Sequence, residues 1–220
     1  MKKLLIAFGI LFSFSLNAQL RFSVAPDLSV MRNFSPNQKF WALGQTVQGN
    51  FHFTKRESAY AWLTFFTSGN FKNNFDATEK SAGTTPASVR FKASSRWRNN
   101  QVSLGWKHYI RGSFDAETDW NLYTTAGFGL MFSKVENVFE PGIDTGLYST
   151  PILPGISEFK RLTIDLGLGI EFPIGGDFFL YGDARTWIPT TRYPSLYLYN
   201  NRNVPLPFIL AFGLRILFSY

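Results

Sequence analysis

From Phe208 to Tyr220 the chain alternates between two kinds of side chain. Phe208, Leu210, Phe212, Leu214, Ile216, Phe218 and Tyr220 are large and apolar, whereas Ile209, Ala211, Gly213, Arg215, Leu217 and Ser219 are on average smaller or more polar. A period of two describes an extended strand with two different faces. Such a long run of same-face apolar residues is unusual for a strand in a water-soluble core. It suits a strand with one face in hydrocarbon and the other on a polar lumen.

The same pattern recurs along the chain. Gln19–Met31 sets Phe22, Val24, Leu28 and Val30 against Arg21, Ser23, Asp27 and Ser29; Pro26 falls on the apolar face and supplies no ladder donor, which predicts a bulge or imperfect edge. Phe40–Phe53 sets Trp41, Leu43, Val47, Phe51 and Phe53 against a small, polar face. Ala59–Ser68 carries aromatics on both faces, so parity assigns no lipid face, and Tyr60 and Trp62 beside a short turn fit an interfacial aromatic girdle. Trp120–Phe132, Leu162–Phe172 and Phe178–Ile188 alternate clearly. Arg32–Lys39, Gly69–Ala87, Ser133–Phe159 and Pro189–Pro207 read as loops; Thr54–Ser58, Gly112–Asp119 and Pro173–Asp177 read as turns.

Residues 88–111 admit two readings. Val89, Phe91 and Trp97 are apolar at odd positions, and Val102, Leu104, Trp106 and Ile110 at even ones. The switch near Asn99-Asn100 is either a hairpin turn or one long strand leaving the membrane, its outer half facing water. A hairpin gives an odd number of strands and spoils the alternation of long and short connections. One strand, with Gln101–Arg111 in the membrane, gives eight, and single-chain bacterial barrels have even numbers. The predicted fold class is all-β, an eight-stranded antiparallel transmembrane up-and-down barrel.

Composition agrees. Aromatics make up 18% of 220 residues, yet mean hydropathy is −0.06, as expected where lipid-facing and lumen-facing positions average out. Lys2 and Lys3, an apolar core over 4–16 and Leu16-Asn17-Ala18 predict a signal peptide over 1–18, with a barrel domain over 19–220. There is no cysteine, which excludes disulfides, thiolate metal sites and a lipoprotein anchor. The 22 basic and 15 acidic residues give +7, or +5 without Lys2 and Lys3. For an exported chain, anionic lipid headgroups or lipopolysaccharide phosphates are the expected partners rather than nucleic acid.

On the inward face, Arg21, Lys107, Arg161, Arg185 and Arg215 stand against Asp27, Asp165, Glu171 and Asp183, a nearly balanced lumen charge network. An eight-stranded barrel has an interior just wide enough for side chains, so this set predicts a plug, with a narrow polar conduit for small solutes as the alternative. Neither His52 nor His108 lies in a Ser-x-His or His-x-Ser spacing, and the sequence places no acid beside either. A lipid A-modifying enzyme, needing nucleophile, base and orienting acid, is a distant alternative; no catalytic, cofactor or metal residue is assigned. Gly127-Phe-Gly129 and Gly167-Leu-Gly169 lack the third glycine and helix of a nucleotide loop, and read as room for bulky inward neighbours. Arg90, Lys92, Arg96 and Arg98 share one face beyond the membrane segment, a candidate lipopolysaccharide contact. In the last loop, Tyr193, Leu196, Tyr197, Leu198 and Tyr199 read as continuing the strands above the membrane, or else as a binding surface.

Signal peptide, alternation, aromatics, loop asymmetry and the closing Phe218-Ser-Tyr220 together resemble the small outer-membrane barrels of OmpA/OmpX and OmpW type. The resemblance spans the mature chain and lies in pattern rather than in a motif. It implies a porin-like fold in a Gram-negative cell envelope, and a non-enzymatic structural or surface-interaction role, a narrow channel or an accessory part of secretion machinery. Phe212, Leu214, Ile216, Phe218 and Tyr220 resemble the terminal signal read by the barrel assembly machinery during insertion.

Overall fold

The computed structural model describes residues 21–190, 196–199 and 206–218. The predicted signal peptide, Gln19, Leu20, Tyr193 and Tyr220 lie outside them. The strands are β1 (Arg21–Asn33), β2 (Phe40–His52), β3 (Glu57–Phe66), β4 (Gly69–Glu79), β5 (Ser88–Arg111), β6 (Asn121–Glu140), β7 (Tyr148–Ser149), β8 (Gly155–Gly175), β9 (Phe178–Pro189) and β10 (Pro207–Phe218). All neighbours run antiparallel. β3 and β4 both pair with β5 and make one stave, while the two-residue β7 pairs only with the outer end of β4. β10 pairs with β1, so eight staves close on themselves. Closure leaves no lipid-exposed sheet edge, which hydrocarbon would penalise by several kcal/mol per unpaired group.

Parity then sorts the side chains. Leu28, Leu43, Leu104, Phe128, Leu162 and Phe212 point outward and are exposed, the lipid-facing belt of a transmembrane barrel. Their alternation partners are buried inside. The seam keeps its register across Pro26, with Val24 opposite Ile216 and Asp27 opposite Gly213. No bulge is needed, because the proline ring points outward and the residue opposite the next position is glycine. A Cβ on Gly213 would stand 2.3 Å from the Pro26 carbonyl oxygen.

Residues 88–111 form one continuous strand. Odd residues face inward along its whole length, from Phe91 and Trp97 through Gln101 to Lys107 and Tyr109, all buried. The apparent change of parity is therefore a change of environment. Inside the membrane the outward row is apolar; above it the outward row meets water and the inward row becomes a hydrophobic core. At about 3.3 Å per residue, this 24-residue strand runs roughly 80 Å, far more than an apolar band about 25 Å tall requires.

The same inversion corrects two predicted loops. Gly69–Glu79 is strand, with Phe75 and Ala77 buried and Lys72, Asn74 and Asp76 outward. β6 runs on to Glu140, burying Val135 and Phe139, and β8 starts at Gly155 rather than near Leu162. What looks polar and loop-like is an amphipathic sheet whose outer solvent is water.

Between β3 and β4 lies a bulge. Phe65 is opposite Asn100 and Gly69 opposite Trp97, so four steps on one side match three on the other. Even residues face inward below Thr67-Ser68 and odd residues above. Thr67 bonds Leu43 across the break, donating its N–H at 2.7 Å and accepting at its hydroxyl at 3.1 Å. This settles the faces of the third stave against the girdle reading, because Tyr60 and Trp62 point into the lumen, buried and stacked at 4.5 Å. Gly105 and Gly127 make room there, since a Cβ on either would sit 2.5 Å from the Tyr60 hydroxyl.

Candidate functional site

The lumen is filled in tiers from the end of the short turns towards the end of the long strand extensions. Tyr109, Phe114, Tyr123, Phe179 and Leu217 form an apolar floor. Phe114 belongs to the β5–β6 turn, which folds into the barrel mouth: its N–H donates to the Lys55 carbonyl at 3.1 Å, and its carbonyl accepts from Arg215 at 2.8 Å. The buried His52 ring stacks on Phe114 at 4.3 Å, between the hydroxyls of Ser23 (2.9 Å) and Ser58 (2.6 Å).

Above the floor stand two ionic clusters and one neutral-bonded carboxylate. Glu171 accepts from Lys107, from Arg215 at 3.1 Å and from the Tyr109 hydroxyl at 3.1 Å. Arg185 bonds Asp27 at 3.0 Å and Asp183 at 2.7 Å, with Tyr181 and Tyr123 donating to these two carboxylates at 3.1 Å each. Trp62 underlies the Arg185 guanidinium at 4.7 Å. Asp165 accepts from Gln101 at 2.7 Å, from Thr163 at 2.7 Å and from Ser103. Buried ions need hydrogen bonds and opposite charges to offset desolvation, and the first two clusters supply both.

Seven of the nine sequence-selected charges thus lie in the buried lumen. Arg21 lies apart at the rim beside the β5–β6 turn, paired with Asp115 at 3.1 Å. Arg161 lies towards the outer end, donating to the Lys160 carbonyl at 2.7 Å and lying over the Phe159 ring. The sequence reading missed the outer seal, where Met31, Phe40, Phe66, Trp97, Met131 and Trp187 pack across the barrel with Leu198 of the last loop on top. The cavity that Met31, Phe40, Trp97 and Met131 line together with Asn33, Asn99 and Pro207 holds about 10 Å³, at the lower limit for one water. Leu198 and its neighbours are a turn folded over the mouth rather than a strand extension; Leu196 accepts from the Leu153 N–H at 3.0 Å.

The histidines part company. Glu57 lies beside His108, bonding its Nδ1 at 2.6 Å and accepting from the Trp106 indole. The structure therefore supplies an acid that the sequence did not place. No hydroxyl among the described residues bonds His108. His52 has two hydroxyls but no carboxylate bonded to it, and it is sealed in the lumen. Neither half completes a nucleophile–base–acid array.

On the outer wall, the row Arg90, Lys92, Arg96 and Arg98 projects outward from β5 above lipid-facing Val102 and Leu104. Arg90 pairs with Asp76 at 3.2 Å, and Lys92 approaches Glu140 at 4.0 Å. Lys134, opposite Arg98, donates to Glu158 at 2.8 Å and holds that carboxyl below its usual range.

No family model matches the chain. No curated protein matches it either. Solved structures of similar fold include Neisserial surface protein A (11% identity, 90% of this chain and 97% of that chain, TM-score 0.55). Another is the outer membrane protein OprG from Pseudomonas aeruginosa (8% identity, 92% of this chain and 98% of that chain, TM-score 0.52). At such identities the likeness establishes the fold alone: that of a small eight-stranded outer-membrane barrel.

Proposed function

We propose that this protein is a non-enzymatic, non-conducting barrel of the bacterial outer membrane that holds a rigid β platform above the outer leaflet, in a structural or surface-interaction role. The observation that carries this reading is the filled lumen, closed by an aromatic floor, ionic clusters and the Met31–Trp97–Trp187 seal. A channel of small solutes would need all three to move. The separated half-sites around His52 and His108 support a role without catalysis. Export through the 1–18 segment, and insertion by barrel assembly machinery reading the terminal residues Phe212, Leu214, Ile216, Phe218 and Tyr220, belong to the same proposal. So does the facing of Arg90, Lys92, Arg96 and Arg98 towards lipopolysaccharide. A surface ligand or secretion partner would meet the platform made by the upper halves of β4, β5, β6 and β8, which continue the barrel ladders beyond the lipid belt.

The test is conductance of the purified mature protein in planar bilayers. Baseline current at applied voltages is the expected result; stable single-channel steps would overturn the reading in favour of a channel.

A further inference from the structure

The outer wall carries cations that the fold leaves without acids. Arg98 lies directly opposite Lys134 across the β5–β6 ladder, and Lys134 directly opposite Glu158 across β6–β8. Like charges facing one another across strands are destabilising. The conflict is relieved on one side only, since Lys134 turns to Glu158. Among the described residues no carboxylate lies within ion-pair distance of Arg98, Arg96 or Lys160.

These cations occupy adjoining rungs of the ladder. The rung with Arg98 and Lys134 is followed inward by Asn100, Phe132 and Lys160, and then by Val102, Leu130 and Leu162 of the lipid belt. Charge gives way to hydrocarbon within two rungs, which is the headgroup level of the outer leaflet.

The wall is also indented there. A cleft of about 270 Å³ lies among Arg98, Asn100, Phe132, Lys134, Lys160 and Glu158, the last of these bonded to Lys134. A second, of about 260 Å³, lies among Ser68, Arg96, Arg98, Lys134 and Glu136. On the other side of Arg98 a groove of about 450 Å³ is lined mainly by Leu28, Leu43, Phe65, Phe66 and Thr67. The bulge at Thr67-Ser68 puts this groove there, since it interrupts the pairing between the third stave and β5 beside Arg98. Arg98 is common to all three, with clefts in which cations outnumber a single glutamate to one side and an apolar groove to the other.

We propose that this is a binding site for the phosphorylated sugar headgroup of an outer-leaflet glycolipid, with a phosphate on Arg98 and Lys160, the sugar in the paired clefts and an acyl chain in the groove beside β2 and β3. It rests on the outer-membrane placement proposed above and names the lipid contact within it. Arg98 can grip phosphate bidentately, and Lys160 adds a second charge. Arg90 and Lys92, beside Asp76 and Glu140, stand higher on the wall, towards the saccharide beyond the lipid headgroup, and line none of these clefts.

The experiment is native mass spectrometry of the mature protein released from detergent micelles with bisphosphorylated lipid A, its dephosphorylated form, a phosphatidylglycerol or inorganic phosphate. The expected result is one bound bisphosphorylated lipid A, and about tenfold weaker binding of the dephosphorylated form, as for loss of one charge-assisted contact. Arg98→Gln with Lys160→Gln should weaken bisphosphorylated lipid A by about tenfold or more, and Lys55→Gln with Arg56→Gln, exposed in the β2–β3 turn at the other end of the barrel, by less than about twofold. Lys160→Gln alone serves if the first pair folds poorly, with heat-modifiable migration reporting folding. Equal binding of both lipid A forms overturns the site, as does unchanged binding by the Arg98/Lys160 variant. Equal binding of phosphatidylglycerol, or of inorganic phosphate alone, overturns the glycolipid assignment. Bilayer conductance would sink the non-conducting reading and leave this site standing, so the two failures are distinguishable.

Discussion

At the scale of the residue, the lumen is governed by which small side chains let which large ones in. Gly213 meets the Pro26 carbonyl, the Tyr181 ring and the Asp27 Cβ at once, and the first of these is backbone that cannot move aside. Gly213→Ala should therefore destabilise the folded barrel by about 1–3 kcal/mol as an overpacking change. Gly142→Ala, where an added Cβ meets nothing within 4 Å, should leave urea unfolding in lipid vesicles unchanged. Glu171→Ala would leave Lys107 and Arg215 buried without the carboxylate they share. The expected loss is about 3–5 kcal/mol, and Glu171→Gln combined with Lys107→Gln should recover part of it; equal midpoints for both would refute the network's part in stability. That these charges point inward was legible from their parity against an apolar row. Their partners were not, since Arg185 and Asp27 lie 158 positions apart and meet only once the barrel has closed.

At the scale of the element, β5 shows how one strand can carry two opposite patterns. Below Asn100 its apolar row faces lipid, and above it the apolar row faces in, while the register with β6 is unbroken from Lys92 to Tyr109. The long-strand reading followed from counting staves. The matching extensions of β4, β6 and β8 did not, because a polar row on the water-exposed face of a sheet looks like a loop in sequence. Hydrogen exchange in micelles tests this directly. Amides of β5 between Phe91 and Trp97 are laddered to both β4 and β6, and should be protected within about tenfold of those between Val102 and Lys107. Exchange there at the rate of an unstructured segment would return it to a loop.

At the scale of the whole molecule, tryptophan placement reports how the barrel sits in the bilayer. Trp106 is exposed on the outer face, and Trp62 is buried in the lumen. In vesicles of dibrominated lipid, a variant retaining only Trp106 should lose most of its fluorescence, whereas one retaining only Trp62 should keep nearly all of it. Equal quenching of the two would contradict the inward turn of the third stave. The floor, the ionic clusters and the outer seal are contributed by staves from both ends of the chain, with Met31 of β1 packing in the same layer as Ile209 of β10. The seal therefore exists only in the closed state, and it is the seal that separates a plug from a conduit.

Local chemistry alone determined the membrane-spanning strands, the lipid faces of all but the third, the number of staves and seven of the nine inward charges, because hydrocarbon on one side imposes a period of two that such a strand displays by itself. Tertiary structure decided the rest. The bulge at Thr67-Ser68 set the third stave's faces, water above the lipid belt turned apparent loops into sheet, and closure brought Arg185 to Asp27 and Met31 to Trp187. It also brought β8 beside β6, so that Lys134 turns to Glu158 and Arg98 is left without an acid among the described residues. Each of these depends on contacts between distant strands, or on the solvent around them, and neither is written in the spacing of any one segment.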